Sequence, residues 1–285
     1  MKHYISKKLF PLLFLVVLLP GCNNPAPKNQ GDTRISKIDS LTKAGYEIID
    51  LHAHLKGGLT MEQLLEHSRK TGIKYGVAAN CGVGFPIQND SDLSKYYHSV
   101  KDYPVYHGMQ AEGREWVNAF SPDTIALFDY VFTDALTYYD DKGRRTRLWM
   151  KDEVFVEDAD SFMNYYVNQI VEILNNESID IYVNPTFLPE IIRERYNELW
   201  TEERMLKVIG ALAGNDIALE INARFMIPSA NFIKLAKSNG VKFTLGTNNG
   251  ANDLGWLEYS LQMIEVCKLE PGDFWKPKNR DAVLQ

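Results

Sequence analysis

The segment YEIIDLHAHLKGG, Tyr46 to Gly58, runs from an apolar approach, Ile48, Ile49 and Leu51, into two histidines spaced i, i+2, and leaves through two glycines. Side chains on an extended segment alternate faces, which predicts His52 and His54 on one face with Asp50 one step earlier. Gly57 and Gly58 permit a close backbone turn where a β-branched residue would not fit. Three polar groups meeting at the end of a buried strand predict a site. Two packed, hydrogen-bonded histidines would leave the same trace, so the rest of the chain has to decide.

From residue 45 onward one unit repeats: a short apolar run, a polar turn, then an amphipathic stretch. Strands are expected at Tyr46 to Leu51, Ile73 to Ala79, Val105 to Met109, Tyr130 to Thr133, Ile179 to Val183, Ile217 to Ile221 and Val241 to Leu245. Several are almost continuously apolar, as parallel strands buried on both faces are. Thr60 with Gln63 three residues on predicts a capped helix that stops at Gly72, and Phe162 to Leu174 carries a second helical stripe. Thr201 caps a third that ends at Gly214; Pro228 opens a fourth, closed by Asn239 and Gly240; Trp256 to Val266 is the last. Such alternation means an α/β fold with a parallel sheet, closed into a barrel or open and doubly wound. No GxGxxG follows the first strand and no GxxxxGK[ST] occurs, so the open nucleotide-binding sheets lose their support. A barrel also explains why polar residues gather just past the strands. The longest departure is Leu136 to Asp160, where Arg144, Arg145 and Arg147 lie near Trp149; it is either a solvated loop or a lid.

The strand ends give a consistent inventory. The first supplies Asp50, His52, His54 and Lys56; the second Asn80 and Cys81; the third Gln110, Glu112 and Arg114; the fourth Asp134. Asn184 follows the fifth, Glu220, Asn222 and Arg224 surround the end of the sixth, and Asn248, Asn249 and Asp253 follow the seventh. Amides outnumber good metal ligands in this ring.

DLHAHLKGG, Asp50 to Gly58, resembles the first motif of the polymerase and histidinol phosphatase superfamily, whose members fold as distorted seven-stranded barrels and hold up to three metal ions for phosphoester hydrolysis. The resemblance runs from about residue 46 to 255 and implies a distorted (β/α)7 TIM-like barrel. GVAANC (Gly76 to Cys81) lies where the family has an Asp-His pair and GMQAE (Gly108 to Glu112) where it has Gly-x-Glu. YVNPTFLP (Tyr182 to Pro189) stands at its His-Pro and LGTNNG (Leu245 to Gly250) at its Ser-Asp-Ala-His. The departures are as informative. Asn80 and Cys81, Gln110, Asn184, Asn248 and Gly250 stand where the family has acids and histidines, while His52 and His54 are retained. The family's multinuclear cluster is therefore not expected. The chain is also similar to a bacterial exported subfamily described only as predicted metal-dependent hydrolases.

Asn and Gln offer neutral oxygens that bind hard cations weakly and cannot act as bases. Two histidines with Glu112 or Asp134 make one mononuclear site for Zn2+ or Mn2+, with an activated water in the open position. Asp50 would then hold a histidine tautomer. Arg114 or Arg224 would steady the developing negative charge of a small phosphorylated, carboxylated or carbohydrate-like substrate. Lys56, Asn80, Cys81, Gln110, Asn184, Asn222, Asn248, Asn249 and Asp253 are expected around the ion or the substrate. The competing expectation is a catalytically inactive barrel binding a sugar-like ligand through its amides and arginines. Glu220 is expected as an ion-pair partner inside the barrel, and Cys81 as a small buried residue or, less simply, a ligand.

The ends of the chain bear on where this happens. Lys2, Lys7 and Lys8 precede an apolar run, Leu9 to Leu19, too short to span a bilayer, and LPGC at Leu19 to Cys22 resembles a bacterial lipoprotein box. Residues 1–21 are expected to be a signal peptide, Cys22 the lipid-bearing residue, 22–44 a flexible tether, and 45–285 one barrel domain with the insertion 136–160. That places the protein at the cell envelope, held to the membrane by its lipid. Loss of residues 1–21 removes three lysines and no acid, taking the formal charge from −6 to −9. An acidic surface argues against nucleic acid as a partner. Three cysteines give no disulfide framework.

Overall fold

The computed structural model describes residues 30–140 and 142–277. Each of the seven expected apolar runs becomes a strand, and a further pair appears in the insertion. The strands are β1 (Ile49–Ala53), β2 (Lys74–Cys81), β3 (Tyr106–Ala111), β4 (Tyr130–Thr133), β5 (Thr137–Tyr139), β6 (Arg145–Arg147), β7 (Ile181–Tyr182), β8 (Ala218–Asn222) and β9 (Phe243–Gly246). Seven of them close into a parallel barrel in the order β1-β2-β3-β4-β7-β8-β9, while β5 and β6 form a separate antiparallel hairpin. The protein is thus an α/β seven-stranded, TIM-like barrel. β7 is shorter than its apolar run, and just beyond it the backbone amide of Asn184 turns inward to Glu220 Oε2 at 2.7 Å.

The longer helices are α1 (Gln30–Lys43), α2 (Met61–Thr71), α3 (Asp90–Val100), α4 (Ala159–Asn176), α5 (Glu202–Gly214), α6 (Ala230–Ser238) and α7 (Glu258–Val266). α2 begins in the expected capping box, with Gln63 N donating to Thr60 Oγ1 at 3.3 Å and Thr60 N to Gln63 Oε1 at 2.9 Å. It ends at Gly72 in the left-handed conformation. Between sheet and helices lies the main core, to which α4 gives Met163, Tyr166, Val167, Ile170, Ile173 and Leu174. A second apolar cluster fills the barrel itself: Ile49, Leu51, Ala78, Tyr106, Tyr130, Phe132, Ile181, Val183 and Ala218, with Trp275 packed against it. Tyr130 and Phe132 stack there at 5.8 Å. The lower barrel is filled with apolar side chains and only its upper end is polar.

Two expectations are corrected. Residues 30–43 of the expected tether are helical: α1 buries Ile38 completely and pairs Arg34 with Glu258 at 2.8 Å and Lys37 with Glu265 at 3.2 Å, so the folded unit starts well before residue 45. The insertion is an ordered hairpin whose Leu136, Tyr138 and Leu148 belong to the core. Arg144 pairs with Asp140 and Arg147 with Glu153, while Arg145 donates to Val83 O at 3.0 Å in the loop after β2. Arg144 and Arg147 brace the insertion internally, and Arg145 ties it to the barrel. The signal segment 1–21 and Cys22 lie outside the described residues. Among the described residues no helix is long and apolar enough to cross a membrane.

Candidate functional site

β1 does not alternate strictly. Ile49 and Leu51 both face into the barrel, which places Asp50 on the other side, and a register shift between Asp50 and Ala53 then brings His52 and His54 inside. Asp50 accepts from Thr247 N at 2.9 Å and His52 N at 3.2 Å, and bonds the Thr247 hydroxyl. The expectation that Asp50 orients a histidine is therefore corrected: it joins the first strand to the loop after the last one. Its carboxyl is pushed up to about 6 by burial, against those hydrogen bonds.

His52 rests on Phe132, and the two imidazoles stand edge to face with centroids 5.2 Å apart. His52 Nδ1 lies 2.6 Å from Glu220 Oε1, and His54 Nδ1 lies 3.1 Å from Ala78 O. A carboxylate and a carbonyl can only accept, so both rings carry their proton on Nδ1. Both Nε2 atoms are left buried with no hydrogen-bond partner. Burial drives the His54 pKa well below its ordinary value, with the His52 charge acting the same way. Two imidazoles held through Nδ1, with both buried Nε2 atoms unpartnered, are arranged as metal ligands are. Glu220, expected as an ion-pair partner, is the group that orients His52. Gly246 makes this pairing possible, because a Cβ there would collide with the Glu220 carboxylate and His52 Cβ.

The acids of the cup are held by amides. Asn80 Nδ2 donates to Gln110 Oε1 at 2.8 Å and Glu112 Oε1 at 3.1 Å, and Asn184 Nδ2 to Asp134 Oδ2 at 2.8 Å. Asn222 Nδ2 bridges Asn184 Oδ1 and Glu220 Oε2 at 2.9 and 3.0 Å, and Asn248 Nδ2 reaches Asn184 Oδ1 at 3.2 Å. Asn184 and Asn248 both adopt positive φ, a conformation asparagine tolerates better than most residues. Glu112 is pushed up to about 8 by burial and by the neighbouring Asp134 charge, although Asn80 and Lys56 pull the other way. Asp134 is raised by burial against its bond from Asn184.

Among the described residues no three His, Cys, Asp or Glu side chains converge as a ready cation site. The expected meeting of two imidazoles with Glu112 or Asp134 is thus corrected: the imidazole pair is in place and the carboxylates are turned to their amides. The donor chemistry still fits a borderline divalent ion, since two buried, unpartnered Nε2 atoms lie in a cup with buried acids.

Other expected residues take other places. Arg114 donates to Glu177 Oε1 at 2.6 Å, Thr133 Oγ1 at 3.0 Å and Asp134 O at 2.8 Å, which commits it to the barrel wall and removes it as a ligand for developing charge. Cys81 faces the helices among Leu93, Met109 and Phe120, its thiol pKa raised by burial; alternation along β2 separates it from Asn80, and it is not part of the cup. Asn249 fastens the chain beyond β9 to β1, accepting from His54 N at 2.7 Å and donating to His54 O at 2.9 Å. Arg224, exposed at the mouth, donates to Asn248 O at 3.0 Å and lies 4.0 Å from Asp253, which itself accepts from Gly250 N. Lys56 is exposed near the same mouth, its pKa lowered by desolvation against the opposing pull of the Glu112 charge. Thr247, Glu177 and Gly246 carry structural roles that the sequence reading missed; Gly246, as a glycine ending an apolar run, bore a visible signal.

No protein-family model and no curated protein sequence matches the chain. Among solved structures it is similar to a histidinol phosphate phosphatase from Lactococcus lactis, crystallised with zinc, L-histidinol and phosphate: TM-score 0.55 and 14% identity, covering 78% of this chain and 94% of that one. That similarity supports the barrel fold expected from the motif resemblance. An HpcH/HpaI aldolase from Desulfitobacterium hafniense matches at TM-score 0.35 and 12% identity over 84% of this chain and 90% of that one, a level that carries no argument.

Proposed function

We propose that the protein is a metal-dependent hydrolase that binds one divalent ion, Zn2+ or Mn2+, through His52 and His54 and acts on a small anionic substrate. The observation that carries this is the pair of buried Nε2 atoms without partners. Both unpartnered Nε2 atoms can accept, and burial raises the carboxyl pKa of Glu112 and of Asp134, so ionised acids there want a compensating cation. A cup of that kind lacks one positive charge. The ion, when bound, supplies Lewis-acid activation of water. The chain's own residues do the rest. Glu220 and Ala78 O keep both rings in the Nδ1–H form, Phe132 closes the floor to water, and Glu112 or Asp134 takes or gives a proton. Lys56 and Arg224 at the mouth attract the anionic group. The zinc in the Lactococcus lactis structure supports the choice of ion without establishing it here.

A second reading is favoured by the amide network: a barrel that has kept the histidines and binds a sugar-like ligand without chemistry. Metal analysis of protein purified without chelator separates the two. One Zn2+ or Mn2+ per chain, lost in the His52→Ala, His54→Ala double variant, supports the hydrolase. No retained metal after incubation with either ion supports the binding protein. We further propose residues 1–21 as a lipoprotein signal and Cys22 as the lipidated residue at the cell envelope. Cys22→Ala should then move the protein from the membrane fraction to the soluble one.

A further inference from the structure

One cavity lies apart from the cup. It has a volume of about 930 Å³ and is lined by residues of the insertion's end, the loop after β7 and the loop after β8; none of the cup residues lines it. This is within the size of small-ligand sites, roughly 300–1,000 Å³. Its walls are apolar, with Leu148, Val154, Phe187, Leu188, Phe225 and Met226. Several polar groups among them already bond within the protein. Thr186 Oγ1 and Tyr196 OH bond each other at 2.5 Å, Ser229 N donates to Tyr196 OH at 3.2 Å, and Tyr259 OH donates to Pro228 O at 2.6 Å. The charged side chains among the lining residues are exposed and paired, Lys151 with Glu190 at 2.7 Å and Arg193 with Glu194 at 3.6 Å. A ligand's charged head would therefore find no built site in this cavity.

Both loops that line the cavity also serve the cup. The loop after β7 puts Asn184 in the cup and Phe187 in the cavity, tied by Phe187 N donating to Asn184 O at 3.2 Å. The loop after β8 puts Asn222 and Arg224 toward the cup and Phe225, Met226 and Ile227 toward the cavity. Asn222 pins it, its N–H donating to Ile227 O at 2.7 Å and its Oδ1 accepting from Phe225 N at 2.9 Å. Phe187 and Phe225 meet edge to face at 5.0 Å, and Met226, with φ of +53°, is held in a left-handed conformation with its side chain largely exposed. A methionine in that conformation is strained, and such strain persists where the surroundings enforce it, often at ligand sites.

We infer that this cavity is a second subsite, which takes the apolar aryl or alkyl group of the same ligand whose anionic part occupies the cup. The inference rests on the reading of the cup as a ligand site and adds the chemical class of the ligand: an amphipathic molecule with one anionic end.

The test uses the neutral fluorophore N-phenyl-1-naphthylamine with the purified protein and two variants, each checked for an unchanged melting transition. Ile191→Asp with Met226→Asp places charge at two exposed cavity positions, 65% and 66% accessible, where folding is not at stake. Saturable binding to the wild type, weakened about tenfold or more in this variant and changed less than about twofold in His52→Ala, His54→Ala, is expected, because an apolar probe seated on these positions would desolvate the new charges. Non-saturable binding, or equal affinity in the cavity variant, overturns the inference. Octyl phosphate should displace the probe at about a tenth of the concentration that 1-octanol needs, and the cup variant should lose that advantage. Equal displacement by both overturns the link between cavity and cup. A protein that passes both arms yet holds no metal loses the hydrolase reading and keeps the subsite.

Discussion

His52 owes its chemistry to a residue 168 positions away, since Glu220 Oε1 accepts from its Nδ1 at 2.6 Å. Outer partners of this kind fix the ring and raise its basicity, and their removal typically lowers metal affinity about 10- to 100-fold. Glu220→Ala should show that loss in a zinc titration against a chelating indicator; unchanged affinity would mean that His52 is not a ligand. Gly246→Ala should do the same by crowding the pair. Glu112 gives a pH prediction. Its folded-state pKa, about 8, lies above the ordinary 4.5, so the folded protein keeps a proton that the unfolded chain releases. That contribution is complete below the unfolded value and is lost as pH rises through the window toward 8, at up to about 1.4 kcal/mol per unit. Urea denaturation in the presence of chelator should show wild-type stability falling between pH 5 and pH 8, and Glu112→Gln should flatten the slope; equal slopes would place Glu112 in a wetter environment than the structure gives it. The residue types of the cup were legible in the chain, because they cluster just past apolar runs. Their bonds were not. Arg114 and Glu112 are both polar residues beyond the same strand, yet one turns to Glu177 in the wall and the other to Asn80 in the cup.

At the scale of the element, β1 shows where a periodicity rule stops. Strict alternation places Asp50 with the histidines, but one register shift exchanges the faces midway along the strand. The ladder between β1 and β9 is correspondingly brief, a single pair at Asp50 and Leu245, and the Asp50 carboxylate continues the closure by bonding Thr247. Asp50→Ala would strand the buried amides of His52 and Thr247, each costing about 1–3 kcal/mol. A loss of roughly 2 to 4 kcal/mol in urea unfolding is expected, and a loss under about 0.5 kcal/mol would show that the barrel closes without it. Helix starts were easier to read. The Thr60 and Gln63 box is a local device that uses only neighbours in the chain, and it forms as expected.

At the scale of the molecule, α1 extends the domain toward the amino end. Ile38 is fully buried against the core, and replacing it with Ala should cost about 2–4 kcal/mol. A chain begun at residue 45 should melt well below one begun at residue 30; equal melting temperatures would show that α1 is dispensable. Low hydrophobicity hid this helix, because the stretch before it is polar and rich in proline and one buried isoleucine makes a faint stripe. The barrel itself was written in local patterns. Seven apolar runs spaced by amphipathic helices admit few arrangements, since buried parallel strands need helical crossovers and a consistent hand. Which residues form a site is a matter of distance in space rather than of pattern. His52 with Glu220, Asn80 with Glu112 and Asn184 with Asp134 are joined across strands that the chain visits far apart, and their geometry follows from strand register and a bulge that no run of side chains announces.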